Sequence, residues 1–116
     1  MLFRSASAFR NNKYVTTLVI GNNVTTIGAQ AFSGCTRLSK VTIGSGVSTI
    51  GKQAFYKCKK LKKIIVKSKK LKKAKIGAKA FTGIPASAKV DVPNAKKSAY
   101  RKAFRARGLN KKVKVY

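Results

Sequence analysis

Ile20-Gly21-Asn22-Asn23-Val24-Thr25-Thr26-Ile27-Gly28-Ala29-Gln30-Ala31-Phe32-Ser33-Gly34-Cys35-Thr36-Arg37-Leu38 decides the fold, because its apolar and glycine positions recur 23 residues later. The recurrences are Ile43-Gly44, Val47, Ile50-Gly51, Ala54-Phe55, Cys58 and Leu61. A further copy keeps Ile76-Gly77 and Ala80-Phe81 but lies 26 residues on, with Ile84 at the cysteine position. The lengthening falls near Ser68-Lys69-Lys70 and predicts an outward loop there. Backwards, Ala8-Phe9 precedes Ala31-Phe32 by 23 residues and Asn12 stands at the cysteine position, so the sequence starts within an incomplete copy.

Each copy opens on a short alternating stretch: Leu18-Val19-Ile20, Val41-Thr42-Ile43, Ile64-Ile65-Val66 and Val90-Asp91-Val92. First and third residues of such a stretch face one side of a strand, and stacked copies make a parallel ladder. Val24 to Ile27 and Val47 to Ile50 form a second extended segment with Val and Ile inward. Gly28, Gly51 and Gly77 then turn the chain into Ala29-Gln30-Ala31-Phe32, Lys52-Gln53-Ala54-Phe55 and Ala78-Lys79-Ala80-Phe81, read as a helical turn whose Phe enters the core. Coils of this kind stack into a solenoid whose buried set is Leu18, Ile20, Val24, Ile27, Phe32, Cys35, Leu38 and their translated copies.

The pattern x-Ile-Gly-x-x-Val-x-x-Ile-Gly-x-x-Ala-Phe-x-x-Cys-x-x-Leu resembles the BspA-type leucine-rich repeat of bacterial and protist surface proteins, over residues 8 to 92. The resemblance implies an α/β solenoid: a right-handed leucine-rich-repeat coil of about 3.5 rungs with a parallel strand ladder. It also implies a cell-surface or secreted location, most simply as the C-terminal end of a longer repeat array. The Lys-rich last repeat running into Val90-Asp91-Val92-Pro93 and a basic helix is similar to the ends of such arrays in anaerobic Gram-positive bacteria.

Residues 94 to 108 read as one helix with Asn94 as N-cap, Gly108 as stop, and Tyr100, Ala103 and Phe104 on one stripe. An open last rung exposes its apolar end, so this helix is expected to cap it, with Val113 and Val115 in a short closing strand. The organisation expected is a partial leading repeat over 1 to 17, frayed at its start, repeats over 18 to 92, and the basic cap over 93 to 116.

With 116 residues, one small domain is expected; 28 are Lys or Arg, Asp91 is the single acid and His is absent, for a net charge of +27. Only five of those cations lie in residues 1 to 51, so the C-terminal part is the electrostatic pole. Aromatic and β-branched residues are too frequent for a disordered basic tail. No run approaches the roughly 18 apolar residues of a membrane span, and residues 1 to 5 lack the apolar core of a secretory signal. Any export signal is therefore expected either to lie upstream in a longer precursor or to be absent.

Acid-base and nucleophilic catalysis need a base beside the nucleophile, which this composition cannot assemble, so no enzymatic activity, metal or cofactor is expected. Asp91 reads as a local ion-pair partner for a neighbouring lysine. Cys35 and Cys58 share one position in consecutive copies, which would set their α-carbons about 5 Å apart, close enough to bridge. Asn12 and Ile84 at the same position favour small buried groups, hence two reduced thiols.

The functional signal is the lysine field of Lys57, Lys59, Lys60, Lys62, Lys63, Lys67, Lys69, Lys70, Lys72, Lys73 and Lys75, eleven cations in nineteen residues. The terminal helix adds Lys96, Lys97, Arg101, Lys102, Arg105 and Arg107. Without internal acids these charges call for an external polyanion. Lysine outnumbers arginine 22 to 6, which suits attraction to a flexible polymer better than bidentate reading of bases. The expected ligands are cell-wall teichoic acid or acidic glycans, with a host surface protein as a further partner. The competing readings are an intracellular nucleic-acid-binding or ribonucleoprotein component, with Tyr14, Tyr56 and Tyr116 to meet bases, and a passive terminal spacer.

Overall fold

β-Branched residues at alternating positions build the first wall. The computed structural model describes residues 9–116, so the part of the leading copy before Phe9 lies outside the described residues. Strands β1 (Thr17–Ile20), β3 (Lys40–Ile43), β5 (Lys63–Val66), β6 (Lys89–Asp91) and β7 (Lys114–Val115) form one parallel sheet in that order. Leu18, Val41, Ile64, Val90 and Val115 share one register row, and all are buried. The two-residue strands β2 (Thr26–Ile27) and β4 (Thr49–Ile50) pair in parallel on a second wall, extended by a bridge from Ile50 to Ile76. The chain thus folds as a solenoid-like stack of parallel coils, and every member of the expected buried set is inside.

The third wall corrects the helical turn expected at Ala29-Gln30-Ala31-Phe32 and its copies. No helix forms there: Gln30, Gln53 and Lys79 take left-handed backbone, as do Gly34, Lys57, Gly83 and Asn11 four residues further along their copies. This alternation points successive N–H groups in different directions. Ala31 and Ser33 donate within their own coil to Gly28 and Gln30, whereas Gln30, Phe32 and Gly34 donate to Lys52, Ala54 and Tyr56 of the next. A continuous helix would turn these N–H groups along its own axis and leave the Lys52, Ala54 and Tyr56 carbonyls without them, so the left-handed residues buy cohesion between coils.

Behind this wall runs a column of rings. Phe9 and Phe32 stack at 5.8 Å between centroids, Phe32 and Phe55 at 5.6 Å, and Phe55 and Phe81 at 5.9 Å. Phe104 continues the column, 4.6 Å from Phe81 and tilted. Ala103-Phe104 stands 23 residues after Ala80-Phe81, so the repeat spacing persists past Pro93, where the sequence pattern was expected to end.

Phe104 lies on helix α1 (Lys97–Ala106), which a single 3₁₀ turn over Asn94–Lys96 precedes. The N-cap expected at Asn94 is corrected: Lys96 occupies the cap of α1 and no side chain caps it, because the extra turn displaces Asn94 from the cap position. Gly108 does end the helix, in left-handed backbone with φ of 101°. Tyr100, Ala103 and Phe104 are its buried face, as the stripe predicts.

The inserted segment is only partly an outward loop. Lys69, Lys70 and the 3₁₀ turn Lys73–Lys75 are exposed, but Ser68 and Leu71 are buried. The Ser68 hydroxyl donates to the Val47 carbonyl, and the Tyr100 hydroxyl holds both Ser68 and Leu71 by their backbones.

Candidate polyanion-binding surface

Strand register places lysines in a file that the sequence reading did not assemble. Lys40, Lys63, Lys89 and Lys114 are successive partners across β3, β5, β6 and β7, on the face opposite the buried row. Backbones of neighbouring strands lie about 4.8 Å apart, so the four side chains leave the sheet as a closely spaced cationic column. Of these only Lys63 belongs to the field singled out from the sequence. The missing signal was the repeat itself, since Lys40 translated by 23 gives Lys63 and by a further 26 gives Lys89.

Beside the column, two residues along each strand, runs the row Val19, Thr42, Ile65 and Asp91. Tyr116 joins it next to Asp91, donating to the Val90 carbonyl and accepting from the Val92 N–H, both at 2.8 Å. The ammonium groups of Lys63 and Lys114 lie 6.0 and 5.8 Å from the centroid of the Tyr116 ring. The ion pair expected for Asp91 does not form among the described residues. The outward lysines two residues along the strand or diagonally across have the length to reach it, but Lys63 and Lys114 are turned to the Tyr116 ring instead.

The remaining field divides into three groups. Lys57, Lys59, Lys60 and Lys62 follow the turn wall of the second full copy and are exposed, with Lys57 lying 5.3 Å from the Tyr56 ring centroid. Lys67, Lys69, Lys70 and Lys75 are exposed on the inserted segment. Lys72 and Lys73 approach α1, where with Lys96 and Lys102 they line a groove. On the helix, Lys97 and Arg101 are half-buried, Arg105 donates to the Lys111 carbonyl at 3.0 Å and Arg107 to the Lys73 carbonyl at 3.1 Å. The cations are thus spread over the sheet face, the turn wall and the helix, and two arginines are engaged in holding backbone.

Of the tyrosines weighed for stacking, Tyr14 is open to solvent at 86% exposure, while Tyr56 and Tyr116 are half-buried under lysines. Cys35 and Cys58 are free and buried. Their thiols donate to the carbonyls of Phe9 and Phe32 at 3.1 and 3.2 Å, an interaction across coils rather than toward each other. Burial pushes the Cys58 thiol up to about 12 and raises Cys35 as well. Burial likewise raises the Tyr100 phenol. Thiols held protonated in this way are poor nucleophiles. Among the described residues, no cluster of three or more His, Cys, Asp or Glu could hold a metal ion, and no helix is long and apolar enough to cross a membrane.

A family model of the BspA-type leucine-rich repeat region matches residues 4–114 in six copies. The chain belongs to the BspA-type leucine-rich repeat family. The match runs beyond residue 92 and takes in α1 and Lys114, in keeping with Phe104 continuing the ring column and β7 the sheet. As a leucine-rich repeat the chain is a repeat-based interaction module. No curated protein and no solved structure matches it.

Proposed function

We propose that this leucine-rich repeat chain is a non-enzymatic binding and adhesion module of a bacterial surface or secreted protein, holding anionic polymers such as teichoic acid or acidic glycans on its lysine surface. In this reading the coil is right-handed, with about 3.5 regular rungs, and residues 93 to 116 close its end. The observation that carries it is the column Lys40, Lys63, Lys89 and Lys114, four cations in register in a chain whose single acid is Asp91. Like charges placed directly opposite one another destabilise a sheet. A polymer with regularly spaced anions relieves that repulsion, and a flexible one adjusts to the strand spacing.

The test is retention on immobilised teichoic acid and heparin at low salt, with duplex DNA as competitor at equal charge. Retention on the flexible polymers that falls when Lys40, Lys63, Lys89 and Lys114 are changed to Gln supports the proposal. Preference for duplex DNA would favour the nucleic-acid reading instead. Failure to bind any of the three would leave a terminal spacer.

A further inference from the structure

The groove beside α1 differs in chemistry from the lysine column. It encloses about 700 Å³ between the helix and the segment around Leu71. Its floor is apolar: Leu71 and Ala103 are buried, and Ala99 and Ala106 complete the helix side. Ala99, Ala103 and Ala106 are spaced four and three residues apart, so they lie on one helical face, about 10 Å long. Methyl side chains along that face keep the trough shallow and let another backbone approach closely. Lys72 and Lys73 stand on one bank, and Lys96 and Lys102 on the other. The floor is held rigidly, since the Tyr100 hydroxyl ties the helix to the backbone of both Ser68 and Leu71.

We infer that this groove docks an acidic amphipathic helix from a partner protein. Its apolar face would lie along Ala99, Ala103 and Ala106, and its carboxylates would meet the four lysines on the banks. A polyanion lacking apolar groups gains nothing from the floor. A single acyl chain would stay half wetted in a trough open along its length, whereas a helix brings its own bulk to cover it. A second copy of these 116 residues is excluded by charge, because it carries one acid against 28 cations. Charge complementarity therefore selects an acidic partner, and the apolar floor selects one with a hydrophobic stripe.

The probe is a fluorescein-labelled helical peptide of about four turns, with Leu at i, i+3, i+4 and i+7 and Glu elsewhere, read by anisotropy against the whole chain. A scrambled peptide of identical composition, lacking the stripe, is the control. The amphipathic peptide should bind about tenfold or more tighter than the scrambled one. That advantage should disappear in Ala99→Tyr and in Ala106→Tyr, two exposed positions whose replacement fills the trough without altering charge. Lys72→Gln with Lys102→Gln should weaken the amphipathic peptide while leaving the melting temperature in place. Equal binding of the two peptides, or unchanged affinity in both tyrosine variants, overturns the inference. Displacement of the peptide by micromolar dodecanoate makes the trough a lipid site and overturns it too. Teichoic acid retention is read separately, so loss of either activity leaves the other standing.

Discussion

The hydroxyl of Tyr100 donates to the carbonyl of Ser68 at 2.8 Å and accepts the N–H of Leu71 at 3.1 Å, so one phenol joins α1 to the inserted segment. Tyr100→Phe keeps the ring against Phe104 but leaves a buried carbonyl and a buried N–H without partners. Stranding such groups costs about 1–3 kcal/mol. Urea unfolding should show that loss, and Tyr116→Phe, at a half-buried ring, should stay within about 0.5 kcal/mol of the parent.

Cys58 is protonated in the native state up to about 12, against an ordinary value of 9.0, because burial disfavours the thiolate. The sign follows from linkage. Its folded value is the higher one, so its contribution is fully present below pH 9 and is lost as pH climbs toward 12. The comparison must be differential, so that the contributions of all other groups cancel. The stability gap between the parent and Cys58→Ala should narrow between pH 9 and pH 11, and a constant gap would refute the assignment.

Phe55 is fully buried, with Phe32 and Phe81 stacked on its two sides. Phe55→Ala opens a cavity in the middle of the column and should cost about 3–5 kcal/mol. Domains of this kind have only about 5–15 kcal/mol in total, so the variant should be largely unfolded at moderate urea. The check is a shift of the whole transition with near-UV and far-UV signals still coincident.

The coil and its core were legible because the repeat copies the same inward residues, from Leu18 to Leu38, at a spacing that also states which coil stacks on which. The turn wall was misread, since Ala29-Gln30-Ala31-Phe32 is a good helical sequence and the left-handed state of Gln30 is imposed by the neighbouring coil. Ala103-Phe104 was overlooked as a repeat element because the lysines and arginines around it make a convincing amphipathic helix, which is also what forms. The lysine field was visible as composition. Its order was not, because a column across strands joins residues 23 to 26 apart, and a scan for dense runs passes over Lys40, Lys89 and Lys114.

Lys57 occupies left-handed backbone at φ of 59°, where the neighbouring copies have Asn11, Gly34 and Gly83. Left-handed backbone costs an ordinary L-residue about 1–2 kcal/mol and asparagine less. Lys57→Asn should therefore raise stability by about 0.5 kcal/mol, part of the relief being offset by the lost ammonium contact with Tyr56. Lys60→Asn, at an exposed turn position without left-handed backbone, is the matched control and should show no gain.

Lys40, Lys63, Lys89 and Lys114 face one another across four strands with one carboxylate, Asp91, on their side of the sheet. In dilute buffer their fields overlap, since screening extends about 30 Å at 0.01 M salt and about 8 Å at 0.15 M. The native state concentrates this charge and the unfolded chain disperses it, so salt favours the native state. The urea midpoint should rise as sodium chloride goes from low to physiological strength, contrary to the behaviour of proteins held by attractive surface ion pairs. Changing Lys63 and Lys89 to Gln should raise the midpoint at low salt and flatten its salt dependence. Linear polyphosphate, added at constant ionic strength, should stabilise the parent more than this variant. If salt lowers the midpoint, or the double variant retains the parent's full response, the column is not where the repulsion resides and has no special claim on a polyanion.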